Sequence, residues 1–292
     1  MFFTRLISGI SLVIIALVTI LAGNGVLAAI LCLISIIAYK ELTKACNVHT
    51  ENKKCNAPEI AGMIMTVVYY VLLIVTLNQG SKDGSGLTRV YPAIMIMIVI
   101  SLILYLFIYV FTFPAYKAPQ IMAAMFSWLY APVMLSFIYL IREGFIYGNY
   151  LVWLVFLCSW GSDTCAYAVG VLFGKHKMTP KLSPKKSVEG AVGGVAGAAL
   201  LFVLYTHFAV NQYTDATIPL ILAAVLGAVG ALVSMVGDLA ASAIKRDHDI
   251  KDYGKLIPGH GGIMDRFDSV IIAAPLIFIG LIVIVSIGKA AL

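Results

Sequence analysis

Nine stretches of this chain are candidates to cross a lipid bilayer, and no separate soluble domain lies between them. They run roughly over Arg5–Ala22, Val26–Tyr39, Glu59–Leu77, Tyr91–Phe113, Gln120–Ile141, Tyr150–Phe173, Gly190–Val210, Ile218–Ala243 and Val270–Ile287. A span needs about 20 mainly apolar residues, so nine of them use up most of 292 residues. Backbone N–H and C=O groups in hydrocarbon must be satisfied within their own segment, and stretches of this kind therefore fold as helices. The sequence predicts an all-α polytopic membrane protein of about nine transmembrane helices. Asp, Glu, Lys and Arg make up only 12% of the chain, about half the share in a soluble domain. That is too little charge to cover a soluble surface, and an apolar content of 61% excludes disorder.

The first two stretches are separated only by Gly23-Asn24-Gly25, which suits a tight helical hairpin. The second is short, and is expected to continue through Lys40-Glu41-Leu42 with the long side chains reaching back to the interface. The apolar run after Arg5 reads as a retained first span, not a removed leader. With nine spans, Arg5 and the loops after spans two, four, six and eight share one side. That side carries Arg5, Lys40, Lys44, Lys53, Lys54, Lys117, Lys175, Lys177, Lys181, Lys185, Lys186, Lys245, Arg246, Lys251, Lys255 and Arg266, sixteen in all, against Lys82, Arg89, Arg142 and Lys289 on the other. The excess places the N-terminus in the cytoplasm and the C-terminus outside. It also accounts for the net charge of +6 without a nucleic-acid partner. Residues 1–145 supply about five spans and 146–292 about four, within one integrated membrane unit. Gly190/Gly194 and Gly193/Gly197 give span seven a small-residue face for close helix packing. The five cysteines, including Cys158 and Cys165, form no C-x-x-C pair and read as small apolar residues. His49, His176 and His207 carry no site signal of their own.

Polar residues are scarce enough to be placed one by one. Six of the fourteen acids and five of the twenty bases lie between Asp238 and Ser269. Asp238 ends an apolar run of about 30 Å and so sits near the edge of the hydrocarbon. Continued helix to Arg246 puts Asp238, Ser242 and Lys245 or Arg246 on one face. Asp265, Asp268 and Ser269 share a face at the start of span nine, where acids suit a helix N-terminus. Between them lies the turn Pro258-Gly259-His260-Gly261-Gly262. Separated carboxylates at a membrane edge suit Mg2+, which takes hard oxygen ligands and leaves positions for waters and substrate phosphates. Interleaved Lys and Arg can pair with phosphate oxygens, and glycines let backbone N–H groups approach an anion. His260 is open to three roles: general base, phosphate contact or turn hydrogen-bonder. A second cluster lies inside span six, where Ser159, Asp163 and Tyr167 recur at i, i+4 and i+8. A carboxylate within a span points to function. A third, Lys175 to Lys186, holds five lysines and suits a polyanion, with membrane lipid headgroups as the plain competitor. Ser187 or Val188 can cap span seven, and Glu189 complements its dipole.

The run Ser242-x-Ile244-Lys245-Arg246-x4-Lys251-Asp252-x-Gly254-x2-Ile257-Pro258-x-His260-Gly261-Gly262-Ile263-x-Asp265-Arg266-Phe267-Asp268 resembles the signature of the phosphatidate cytidylyltransferase (CDP-diacylglycerol synthase) family. Ser162-Asp163-Thr164-x-Ala166-Tyr167 and Ser183-Pro184-Lys185-Lys186-Ser187-x-Glu189-Gly190 resemble it too, with Ser187 and Val188 where Thr and Trp are more usual. The likeness in specific motifs covers about Trp160–Ser269; the first five spans match only in general character. The resemblance implies that CTP and phosphatidate are converted to CDP-diacylglycerol and pyrophosphate with Mg2+, and it leaves room for a second cation such as K+. It implies Asp238 and Asp265 as metal ligands and Asp238, Asp265, Asp268, Lys245 and Arg246 as the catalytic set. Lys185, Lys186, Arg266, His260, Gly261, Gly262, Asp163 and Ser242 are implied in substrate binding. A homodimer in the bacterial inner membrane, with its active site at the cytoplasmic edge, completes the expectation. The nearest rival is a CTP-dependent kinase of a polyprenol or other lipid alcohol. The opening of a CDP-alcohol phosphotransferase is absent, and a transporter using Asp163 and Asp238 as an ion relay leaves the glycine-rich turn unexplained.

Overall fold

The computed structural model describes residues 2–48, 56–78, 85–215 and 217–287, and of 2–8 and 85–86 the backbone alone. The side chain of Arg5, together with Lys53, Lys54, Lys82, Lys289, His49 and Cys55, lies outside the described residues. The architecture is all-α. The helices are α1 Phe2–Ala22, α2 Asn24–Ala45, α3 Ala57–Asn78 and α4 Ser85–Thr112, followed by α5 Ala118–Gly144, α6 Gly148–Phe173, α7 Val188–Tyr213, α8 Leu220–Asp247 and α9 Met264–Ser286. Among the described residues, α2 to α9 are each long and apolar enough to cross a membrane, and α1 carries a shorter apolar stretch, Gly9–Ala22. Helices α5, α6 and α7 each contain a one-turn widening, at Leu129–Val133, Leu157–Gly161 and Thr206–Val210. The first contains Pro132, which has no N–H to give the ladder. Between α6 and α7 the lysine-rich segment forms a short antiparallel ribbon, β1 (Lys177–Thr179) and β2 (Ser183–Ser187), pairing Lys177 with Ser187 and Thr179 with Ser183.

The chain divides into two compact units, Met1–Tyr139 with Asp247–Arg266, and Leu140–Arg246 with Phe267–Leu292. In the first, tyrosines build the core. Tyr39, Tyr69, Tyr70 and Tyr105 are almost completely buried, and each hydroxyl has a partner. Tyr39 donates to the carbonyl of Pro58 at 2.9 Å and lies 3.0 Å from the Tyr105 hydroxyl. Tyr70 meets Ser35 at 3.0 Å, and Tyr69 meets Ser136 at 2.9 Å. Unpaired hydroxyls in hydrocarbon would cost several kcal/mol each. The turn at Gly23 is as tight as its sequence suggests: Gly23 and Asn24 take positive φ values of 61° and 45°. Helix α2 runs on through Lys40-Glu41-Leu42 to Ala45, and the half-buried Glu41 carboxylate accepts protein amides.

In the second unit α6 and α7 pack along the predicted glycine face. A methyl added at Gly190 would meet the Ala166 carbonyl oxygen at 2.8 Å, and one at Gly194 the Ala166 Cβ at 3.0 Å. Gly193 faces Val169, and Gly197 faces Cys165. Helix α8 uses the same device, with Gly227 against Phe202, Gly230 against Cys158 and Gly237 against Ile272. Cys158 and Cys165 therefore fill gaps against different helices and are free thiols. Gly190→Leu is expected to lower the thermal midpoint in detergent, at a cost of about 1–3 kcal/mol, because the obstructing atoms are the Ala166 carbonyl oxygen, the Ser187 Oγ that caps α7 and the Gly170 Cα. Leu200→Ala, on the exposed side of α7, should leave it nearly unchanged.

Candidate functional site

In the second unit a cavity of about 470 Å³ opens between α6, the ribbon, α7 and α8. Asp163, Ala166, Tyr167 and Gly170 line it from α6, Lys177 and Met178 from β1, Lys185, Lys186 and Ser187 from β2, and Met235 and Asp238 from α8. Lys186 Nζ is ion-paired with Asp238 Oδ2, both side chains one quarter exposed. Asp163 lies in the field of Lys186 and of Asp238, with the Ser269 hydroxyl nearby favouring its charged form. Asp268 is buried at the start of α9, its Oδ1 accepting the Ser269 N–H at 2.8 Å. It feels the charges of Asp238, Lys245 and Asp163. Three carboxylates and two lysines from four elements are thus electrostatically joined. Ser159, expected on the same stripe as Asp163, is fully buried and returns its hydroxyl to the Val155 carbonyl at 3.0 Å. The wide turn Leu157–Gly161 breaks the four-residue phase on which that stripe depended.

The donors here are carboxylate oxygens beside a serine hydroxyl, a hard set that fits Mg2+ and not a soft metal. Among the described residues no three of His, Cys, Asp or Glu form a ready-made metal cage. Mg2+ is ordinarily held by one or two carboxylates, with water and substrate phosphates completing its shell. The ribbon is anchored at its root. Ser187 Oγ caps α7 by accepting the Gly190 N–H at 3.1 Å. Glu189 turns back to accept the amides of Lys175 and His176 at 3.1 and 3.2 Å, and its Oε1 lies 2.6 Å from His176 Nδ1. Glu189 was expected only to complement the helix dipole, and His176 to carry no signal. A carboxylate one turn beyond a basic loop can close that loop only once the ribbon brings the two together. Ser242 is half-buried on α8 outside the cavity lining, and Arg246 is exposed near the end of the same helix.

The glycine-rich segment belongs to the first unit. Ile257-Pro258-Gly259-His260 is a reverse turn closed by the His260 N–H on the Ile257 carbonyl at 2.9 Å. Proline in second place and a positive φ of 77° at Gly259 are the marks of a type II turn. Gly261, at φ 84°, leaves no room for a side chain beside Asp265 Oδ2. That oxygen accepts the amides of Tyr253 and Gly262, each at 2.9 Å. Arg266 donates from Nε to the His260 carbonyl at 2.9 Å. Asp265, Arg266, His260, Gly261 and Gly262 therefore form one braced hairpin. Glu41 joins it from α2, where the sequence reading gave it only a place at the membrane interface. The signal was present, since a lone acid inside an apolar span asks for an explanation.

Glu189→Ala should loosen the ribbon without unfolding the helices. The expected result is faster tryptic cleavage between Lys175 and Lys186, with α6–α7 peptides keeping their protection from hydrogen exchange.

The chain is 42% identical over 136 residues to a phosphatidate cytidylyltransferase of Synechocystis sp., a stretch that is 47% of this chain and 44% of that protein. It is 41% identical over 130 residues to one of Haemophilus influenzae, covering 44% of each. It is 38% identical over 164 residues to one of Staphylococcus saprophyticus, covering 54% of this chain and 61% of the relative. In each case the matched stretch spans less than two thirds of the relative's length. The sequence model of the cytidylyltransferase family matches residues 3–284, nearly the whole chain, and the chain belongs to that family.

Proposed function

We propose that the chain transfers the cytidylyl group of CTP to phosphatidate, giving CDP-diacylglycerol and pyrophosphate for phospholipid synthesis. The observation that carries this reading is the cavity in which Lys185 and Lys186 stand beside Asp163 and Asp238. It offers cations for phosphate oxygens and carboxylates for a hard metal in one place. The relatives bear the name of this activity, and the family agrees with it. An oxygen of the lipid phosphate forms a bond to the α-phosphorus of CTP. The bond from that phosphorus to the α–β bridging oxygen breaks, and pyrophosphate leaves with the electron pair. The attacking phosphate is already anionic, so no general base is required, and the protein's work is to align the two and offset their charge. Asp238 and Asp163 would hold Mg2+, with Asp268 supporting them; when bound, the ion offsets phosphate charge as pyrophosphate departs. Lys185, Lys186 and Lys245 would bind phosphate oxygens, as would Arg246 and Arg266. The reading gives Asp265, a metal ligand by sequence resemblance, the task of orienting the hairpin through the two amides it already accepts. His260 then serves the turn and contacts phosphate.

The charge asymmetry of the loops supports a site facing the cytoplasm of a bacterial inner membrane. There CTP arrives from water and phosphatidate from the leaflet, and the enzyme works as a homodimer. A second cation such as K+ would sit among the same carboxylates.

CTP labelled at the α-phosphorus is expected to place label in lipid when the purified protein is given phosphatidate. Label entering lipid only from the γ-position would instead identify a lipid kinase. Chelation of divalent cations should abolish the product, and Mg2+ should restore it and raise the thermal midpoint of the protein. Asp238→Asn should reduce turnover by about 100-fold or more, with insertion intact. Near-normal turnover in that variant would remove Asp238 from the metal site.

A further inference from the structure

Glu41 is the one acid of α2. Its Oε1 accepts the amide of Ile263 at 3.2 Å, and its Oε2 accepts that of Met264 at 2.8 Å. These N–H groups belong to the entry of α9, where a helix has no internal partners for them. Asp265 holds the next pair, Tyr253 and Gly262. Four amides of the glycine-rich hairpin thus rest on two carboxylates that repel one another. Such an arrangement persists only where the amides compensate both charges.

Two glycines of the signature owe their identity to the same carboxylate. A methyl at Gly254 or at Gly262 would collide with it, and at Gly262 the three nearest atoms are all Glu41's, its Cδ at 2.6 Å. Neither glycine has a positive φ. What demands glycine there is the approach of Glu41, not the backbone conformation. The bonds continue from this point into the hairpin: Ile263 O accepts the Arg266 amide at 3.0 Å, and Arg266 Nε in turn holds His260 O at 2.9 Å.

We propose that Glu41 is a positioning residue for the 253–266 hairpin, setting from the second span the backbone course through Ile263 and Met264 on which Arg266 and His260 depend. Its effect on turnover rests on the cytidylyl-transfer reading above; its effect on the hairpin does not.

The test uses the full-length protein in lipid nanodiscs as wild type, Glu41→Ala, Glu41→Gln, Gly262→Ala and the double variant Glu41→Ala/Gly262→Ala. Hydrogen exchange is followed by mass spectrometry, and transfer from α-labelled CTP is assayed in parallel. Glu41→Ala is expected to speed exchange at 262–264 while α6–α7 peptides are unchanged. It should lower kcat by about tenfold or more, with KM for CTP moving by less than about threefold. Glu41→Gln keeps an acceptor oxygen and should recover part of both losses. Gly262→Ala should resemble Glu41→Ala, and the double variant should be no worse than the poorer single, because the obstruction is then gone. Unchanged exchange in Glu41→Ala, or fully additive losses in the cycle, overturns the proposal. If wild type yields no α-labelled lipid, the functional reading fails, and exchange at 262–264 still decides the role of Glu41. If Glu41→Ala does not insert, Glu41→Gln and Gly262→Ala carry the same comparison.

Discussion

Three carboxylates share one small, half-buried region of the second unit, and the pairing of Lys186 with Asp238 is what makes their company tolerable. Asp163, Asp238 and Asp268 each feel at least one other negative charge. Away from bulk water such repulsion is weakly screened. Lys186 answers it from the ribbon, and Lys245 answers it from α8. Removing one member of a partly buried pair leaves an uncompensated charge, so the ribbon, the C-terminal halves of α6 and α8 and the start of α9 have to be built together. The same crowding of negative charge is an invitation to a divalent cation.

Close packing supplies the geometry. Gly190 and Gly194 bring α7 against α6 until backbone nearly touches backbone, and Gly227, Gly230 and Gly237 do likewise for α8. Helices in lipid gain little from burying apolar side chains against one another, and near approach of small residues takes the place of that driving force. Asp163 and Asp238, on neighbouring helices, are thereby brought within range of one lysine. In the first unit the tyrosine hydroxyl pairs serve the corresponding purpose, tying α2, α3, α4 and α5 without exposing a polar group to lipid.

Much of this was legible in the chain. The apolar runs announced the helices, including the continuation of α2 and the Gly23 turn. The spacing of Gly190, Gly193, Gly194 and Gly197 announced the α6–α7 contact, and the density of charge after Asp238 marked the signature segment. Ser159 was misplaced because one widened turn in α6 shifts the helical phase, and no residue pattern at Leu157–Gly161 declared it. Glu41 and Glu189 were seen as charges with a local destination, an interface and a helix dipole. Their actual partners are backbone amides, and an amide carries no mark in the sequence of being without one.

The sequence by itself determined the solvent, the helices and the family. Each depends on local periodicity, on the cost of polar groups in hydrocarbon or on residue identity along a continuous signature. Only the tertiary structure decided that Lys186 pairs with Asp238, that Asp265 closes the hairpin through two amides, and that Glu41 reaches an amide 222 residues away. Those contacts follow from the path of the backbone in three dimensions, where a bulged turn or a glycine approach redirects a side chain that periodicity alone would aim elsewhere.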